Sequence, residues 1–279
     1  MRDYFKKKSN DLKNKKLFLF DMDGTIYMDE EIYDGTLDLL DYIDSIGGKY
    51  VFITNNSSKS VDAYIQKVNR MGIKADESNF YTSTQASAAY LKNNYPDALV
   101  FAMGTDSFLK ELDKLGIKYV TEVTSEAKVV LMGYDNELNY EKLTNICKML
   151  TLYDLPFIAT NPDLVCPVSF GYVPDCGSVA IMIKNATGKY PVFIGKPEPT
   201  MIEFVMEKFG YSKEETVVLG DRIYTDIASG INAGVDTILV LSGEATLETL
   251  EAENRKPTYV YENVRTLIDD LKPQEKIDI

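Results

Sequence analysis

The chain has 279 residues with 43 acidic against 30 basic side chains, a net charge of −13, and 45% hydrophobic residues. That balance suits a globular protein of one large or two moderate domains, disfavours nucleic acid and anionic membrane as partners, and includes no apolar run of the roughly 18–20 residues that cross a bilayer. Histidine is absent, which removes Ser-His-Asp triads and His-ligated zinc, and Cys147, Cys166 and Cys176 form no CxxC pair, so polar chemistry falls to carboxylates, hydroxyls, Lys and metal.

The lysine-rich start, Met1 to Lys16, reads as a solvated tail or short surface helix, and Leu17–Phe20 is too short for a signal h-region, so a cytoplasmic location is expected. Leu17–Phe20 reads instead as a buried strand ending at Asp21. Leu39, Leu40, Ile43 and Ile46 mark a helix stopped by Gly47-Gly48. Tyr50–Thr54 is a second strand, followed by a helix through Val61, Tyr64, Ile65, Val68 and Met71. Further strands are expected at Leu99–Met103, Lys128–Met132, Pro156–Thr160 and Val179–Ile183. The late chain adds Val192–Gly195, Thr216–Gly220, Thr237–Leu241 and Thr258–Tyr261, with helices near Thr200–Phe209, Thr225–Ala233 and Asn263–Leu271. This alternation implies an α/β protein with a Rossmann-like parallel sheet. Residues 1–81 and 189–279 read as a discontinuous core, and 82–188 as an inserted α/β cap.

In open parallel sheets ligands bind beyond the carboxyl ends of the strands. Asp21-Met22-Asp23-Gly24-Thr25, Thr54-Asn55, Gly195-Lys196-Pro197 and Gly220-Asp221 with Asp226 each close a candidate strand. Crowded carboxylates repel unless a hard cation is present, and Mg²⁺ needs only a few oxygen ligands. Asp21 and Asp221 are the natural direct ligands, with Asp226 holding a metal-bound water. Asp21 can then attack phosphorus, and Asp23 can protonate the leaving oxygen and later deprotonate water. Gly24 permits a tight turn, while Thr54, Asn55 and Lys196 suit the phosphoryl oxygens.

Those motifs, in that order, resemble the haloacid dehalogenase superfamily. The insertion, with Phe157–Asp163, Gly195–Pro199 and Asp221–Asp226, is similar to the subgroup of 4-nitrophenylphosphatases and N-acetylglucosamine-operon phosphatases. The resemblance implies hydrolysis of small phosphomonoesters (sugar, nucleotide or glycerol phosphates), the Asp23 carbonyl as a further metal ligand, and a homodimer through the cap. The cap loops containing Thr160, Asn161 and Asp163, and Cys176 and Gly177, are expected to meet the leaving group. Two alternatives stand beside hydrolysis: phosphoryl transfer on the same core, and a non-catalytic phospho-ligand sensor.

Overall fold

The computed structural model describes residues 3–5, 9–168 and 170–272. They form an α/β protein that divides into two compact units, one of residues 1–53, 65–80 and 197–279, the other of residues 54–64 and 81–196. Two larger sheets carry the chain.

The six-stranded sheet has the order Tyr259–Tyr261, Asp236–Val240, Thr216–Gly220, Leu17–Phe20, Lys49–Thr54, Phe80–Thr82. Leu17–Phe20 pairs in parallel with Thr216–Gly220 on one side and Lys49–Thr54 on the other. Its four side chains are fully buried, as are Val217, Val218 and Leu219 beside them, which is what a parallel strand covered on both faces requires. Helix Thr36–Ser45 buries Leu39, Leu40 and Ile43, and helix Val264–Leu271 buries Val264, Leu267, Ile268 and Leu271. The apolar spacing of each supplies one stripe to cover the sheet.

The five-stranded sheet is wholly parallel, in the order Val192–Phe193, Phe157–Ala159, Val129–Met132, Val100–Met103, Tyr119–Val120. Its core gathers Phe101, Met132, Ile146, Met149, Ala180 and Ile183.

Two elements differ from the sequence reading. Val179–Ile183 is not a strand but part of helix Cys176–Thr187, capped by the Asp175 carboxylate, which accepts the Cys176 N–H. A short apolar run leaves the choice to tertiary context. Here Cys176, Val179, Ala180 and Ile183 are buried while Ile181 and Met182 stay exposed, the pattern of one helical face. The strand before Lys196 is only Val192–Phe193, and it pairs with Phe157–Ala159 instead of joining the sheet that ends in Asp21.

The lysine-rich start forms the second of its two expected alternatives, a short helical turn at the surface, Ser9–Asn14, with Asp11, Lys13 and Asn14 exposed. Leu12 in the 3₁₀ turn Ser9–Asn14 is fully buried, Tyr4 N–H donates to the Val260 carbonyl, and Lys15 reaches the Glu214 carbonyl and Asp236. Lys6, Lys7 and Lys8 lie outside the described residues. Among the described residues, no helix is long and apolar enough to cross a membrane.

Candidate active site

Strand register assembles the acidic centre. Phe20 pairs with Leu219, and Asp21 N–H donates to the Leu219 carbonyl at 2.8 Å, continuing the ladder one residue past the strand. The residues leaving the two adjacent strands, Asp21 and Gly220-Asp221, therefore emerge together at the carboxyl edge. Asp21, Asp221 and Asp226 each present an oxygen within 4.8 Å of the others.

Asp221 and Asp226 are held by different donors. Asp221, nearly inaccessible, accepts the Glu244 N–H at 2.8 Å on Oδ2 and the Thr25 hydroxyl at 3.2 Å on Oδ1. Asp226, fully buried, accepts the Arg222 N–H at 3.1 Å within the π-helical turn Ile223–Ile227. A single π-turn of this kind re-aims a side chain that α-geometry would send elsewhere.

The glycines around the centre are there for room. A Cβ on Gly220 would lie 2.3 Å from Asp226 Cβ, and one on Gly243 would lie 2.0 Å from Asp221 Oδ2. Gly24 also needs its φ of +82°, which lets the Asp21–Thr25 turn fold back so that Gly24 N–H meets the Tyr27 carbonyl at 2.9 Å.

Burial, and next the neighbouring Asp21 charge, push Asp221 up to about 6. Carboxylates forced together in this way are the donor chemistry that a hard cation relieves: three oxygens, no nitrogen or sulfur, and room for water on the half-exposed Asp21. The residues fit a divalent metal of the Mg²⁺ type.

Asp23 stands apart from this triad. Its side chain is exposed, with Lys67 Nζ 3.5 Å from Oδ1 and the Tyr27 hydroxyl 3.5 Å from Oδ2.

The second unit gathers the other predicted residues into one buried polar network. The Asn55 amide donates to Asp163 at 2.9 Å and to the Lys196 carbonyl at 2.8 Å, while its oxygen accepts the Lys196 N–H at 2.8 Å. One side chain therefore clamps both backbone groups of Lys196. Asn161 donates to Asp163 and Asp175 at 3.1 and 3.0 Å. Thr160 hydrogen-bonds Asn161 Oδ1 and pairs with the Ser57 hydroxyl. The Thr54 hydroxyl accepts the Asn56 N–H.

Gly177 N–H donates to the Asp163 carbonyl at 2.8 Å, and a Cβ there would come within 2.1 Å of the Pro162 carbonyl oxygen. The Cys176 thiol faces inward on Thr160 and the Met132 carbonyl, pushed up to about 12 by burial. It is a packing group.

Sequence reasoning missed Gly243, the Glu244 N–H and Lys67. The first two follow strand Asp236–Val240, so the strand-end rule that found Asp21 and Asp221 would have reached them. Lys67 carries no local signal, being 44 residues from Asp23.

Comparison with known proteins places this geometry. A family model described as haloacid dehalogenase-like hydrolase matches residues 18–118, and a HAD-hydrolase-like model matches residues 193–267. The acid sugar phosphatase of Staphylococcus aureus is 35% identical over 261 residues, 94% of this chain and 100% of that protein. The crystal structure of 4-nitrophenylphosphatase from Thermotoga maritima is 35% identical with a TM-score of 0.89, covering 94% of this chain and 100% of that one. NagD of E. coli K-12 is 29% identical with a TM-score of 0.82, over 90% of this chain and 97% of that one.

Proposed function

The chain belongs to the haloacid dehalogenase-like hydrolases and is a phosphoric monoester hydrolase, and from that premise we propose that it cleaves small phosphomonoesters through an aspartyl-phosphate on Asp21. The substrates we assign are sugar, nucleotide or glycerol phosphates, with 4-nitrophenyl phosphate as an artificial ester. The observation that carries the reading is the juxtaposition of Asp21, Asp221 and Asp226 at the carboxyl edge of a parallel sheet.

A divalent cation, Mg²⁺ in our assignment, would be held by Asp21, Asp221 and the Asp23 carbonyl with Asp226 behind them, and would neutralise charge on the phosphoryl oxygens. In the first half-reaction an Asp21 oxygen bonds to phosphorus as the bond to the leaving oxygen breaks. Asp23 gives its proton to that oxygen, releasing the alcohol. In the second, water attacks phosphorus and passes a proton to Asp23. The Asp21–phosphorus bond breaks, inorganic phosphate leaves, and both carboxyl groups return to their starting states.

We assign Thr54, Asn55, Gly24 and Lys196 to binding the phosphoryl group, and Thr160, Asn161, Asp163, Cys176 and Gly177 to shaping the environment of the leaving group. Both assignments rest on motif position. The buried Cys176 thiol restricts its part to packing beneath the loop.

The test is phosphate release from a panel of sugar, nucleotide and glycerol phosphates and 4-nitrophenyl phosphate, with Mg²⁺ and with excess chelator. Release that requires Mg²⁺ is expected. Release undiminished by chelator would overturn the metal assignment, and transfer of the phosphoryl group to an added sugar in preference to water would overturn hydrolysis.

A further inference from the structure

We propose that Lys67 is a positioning residue for Asp23, setting the carboxylate's direction for proton delivery to the leaving group. The proposal deepens the function above and rests on the reading of Asp23 as general acid and base.

Asp23 sits in a turn pivoting on Gly24, and its side chain is 58% exposed. Such a carboxylate left to itself samples several rotamers, and proton transfer requires one. Two groups from different parts of the chain act on it. Lys67 lies near the end of helix Val61–Arg70 and places Nζ 3.5 Å from Oδ1. Tyr27, in the short hairpin after the turn, brings its hydroxyl to 3.5 Å from Oδ2.

The lysine itself is not a free surface charge. Its side chain is only 17% exposed, and Nζ lies 4.0 Å from the centroid of the Tyr27 ring. A cation held on an aromatic face loses most of its freedom to follow the carboxylate. Tyr27 is in turn fully buried, paired with Ile32 across the hairpin and tied to Gly24 through its carbonyl. Lys67 and Tyr27 are therefore the anchored members of the trio, and they set a direction for the exposed Asp23 carboxylate. The long 3.5 Å contacts also leave the carboxylate able to turn toward a substrate, as resting catalytic hydrogen bonds often do.

A competing account gives Lys67 a purely structural part, as a cation favourable in the last turn of its helix. The two accounts separate on the leaving group. A sugar alkoxide departs only with a proton, whereas 4-nitrophenolate departs without one. A defect in aiming Asp23 therefore slows the first ester selectively, while a structural defect slows both. The ratio kcat/KM reports steps through departure of the leaving group, so the second duty of Asp23 toward water does not enter it.

The experiment compares kcat/KM on the fastest sugar or glycerol phosphate of the panel with that on 4-nitrophenyl phosphate, for wild type, Lys67→Met, Lys67→Arg and Asp23→Asn. Lys67→Met should lose about tenfold more on the sugar or glycerol ester than on the nitrophenyl ester, a fraction of the roughly 10²–10⁴ that a general acid contributes. Lys67→Arg, which keeps the cation and can stack on Tyr27, should recover most of that selectivity. Equal losses on both esters, or none on either, would overturn the role of Lys67 while a selective Asp23→Asn leaves the general acid standing. A non-selective Asp23→Asn would instead remove Asp23 as the acid, and the proposal for Lys67 with it.

Discussion

Replacing Asp221 by Asn removes a charge that the folded chain holds against burial. The carboxyl group is pushed up from an ordinary 3.8 to about 6, first by burial and then by the Asp21 carboxylate. At about 1.4 kcal/mol for each pH unit, that displacement corresponds to roughly 3 kcal/mol of destabilisation once the group is ionised. The sign follows from proton binding: the folded chain holds this proton more tightly than the unfolded chain, so unfolding releases it. Stability of the metal-free protein therefore falls as pH rises from about 4 to about 6 and stays low above that.

An asparagine keeps one oxygen for the Glu244 N–H or the Thr25 hydroxyl but not both, a loss of about 1 kcal/mol. The net expectation is that Asp221→Asn stabilises the metal-free protein at pH 8 by about 1–2 kcal/mol, raising Tm by roughly 2–4 °C. Saturating Mg²⁺ should reverse the order, because a hundredfold excess over Kd adds about 2.7 kcal/mol to the wild type and little to the variant. Thermal unfolding in chelator and in Mg²⁺, at pH 4.5 and pH 8, reads all four conditions. A variant less stable than wild type in chelator at pH 8, or one with an undiminished response to Mg²⁺, would refute the reasoning.

Two further substitutions probe the supports of the site. Gly243→Ala sets a Cβ 2.0 Å from Asp221 Oδ2, a clash that displacement of the Asp221 carboxylate would relieve. The Mg²⁺ concentration for half-maximal activity should rise at least about tenfold, and an unchanged value would show that the loop yields instead. Asn55→Ala removes the clamp on the buried Lys196 backbone. It should weaken inhibition by inorganic phosphate about tenfold and lower Tm, and an unaltered inhibition constant would detach Asn55 and Lys196 from phosphate binding.

The acidic centre was legible because two independent signals coincide in it. Leu17–Phe20 and Thr216–Gly220 are short apolar runs of strand length, the first running straight into Asp21-Met22-Asp23-Gly24 and the second into Asp221. The strand-end rule then needs no knowledge of which strands are neighbours. Helices such as Thr36–Ser45 and Thr200–Phe209 were equally readable, since their apolar period and terminal glycines agree.

The misreadings share one cause, which is that tertiary pairing decides what local pattern leaves open. Val192–Phe193 is too short to declare its sheet, and its place beside Phe157–Ala159 is a matter of distant pairing. Val-Ala-Ile-Met-Ile has strand-like composition, and only the Asp175 cap and the burial of one face make it helix.

The groups hidden from sequence reading are of a different kind. Asp221 is fixed by a backbone N–H of Glu244 and by the absence of a side chain at Gly243, neither of which is a chemical signature in one-letter code. A motif search finds the atoms that react, because reactivity belongs to residue type. It does not find the atoms that hold them, because holding belongs to position. Lys67 shows the boundary: an ordinary helical lysine by spacing, it acquires a meaning only from a tyrosine ring 4.0 Å away and a carboxylate 3.5 Å away. The leaving-group comparison therefore tests more than one residue, since it asks whether a contact that no motif encodes directs a reaction that a motif does.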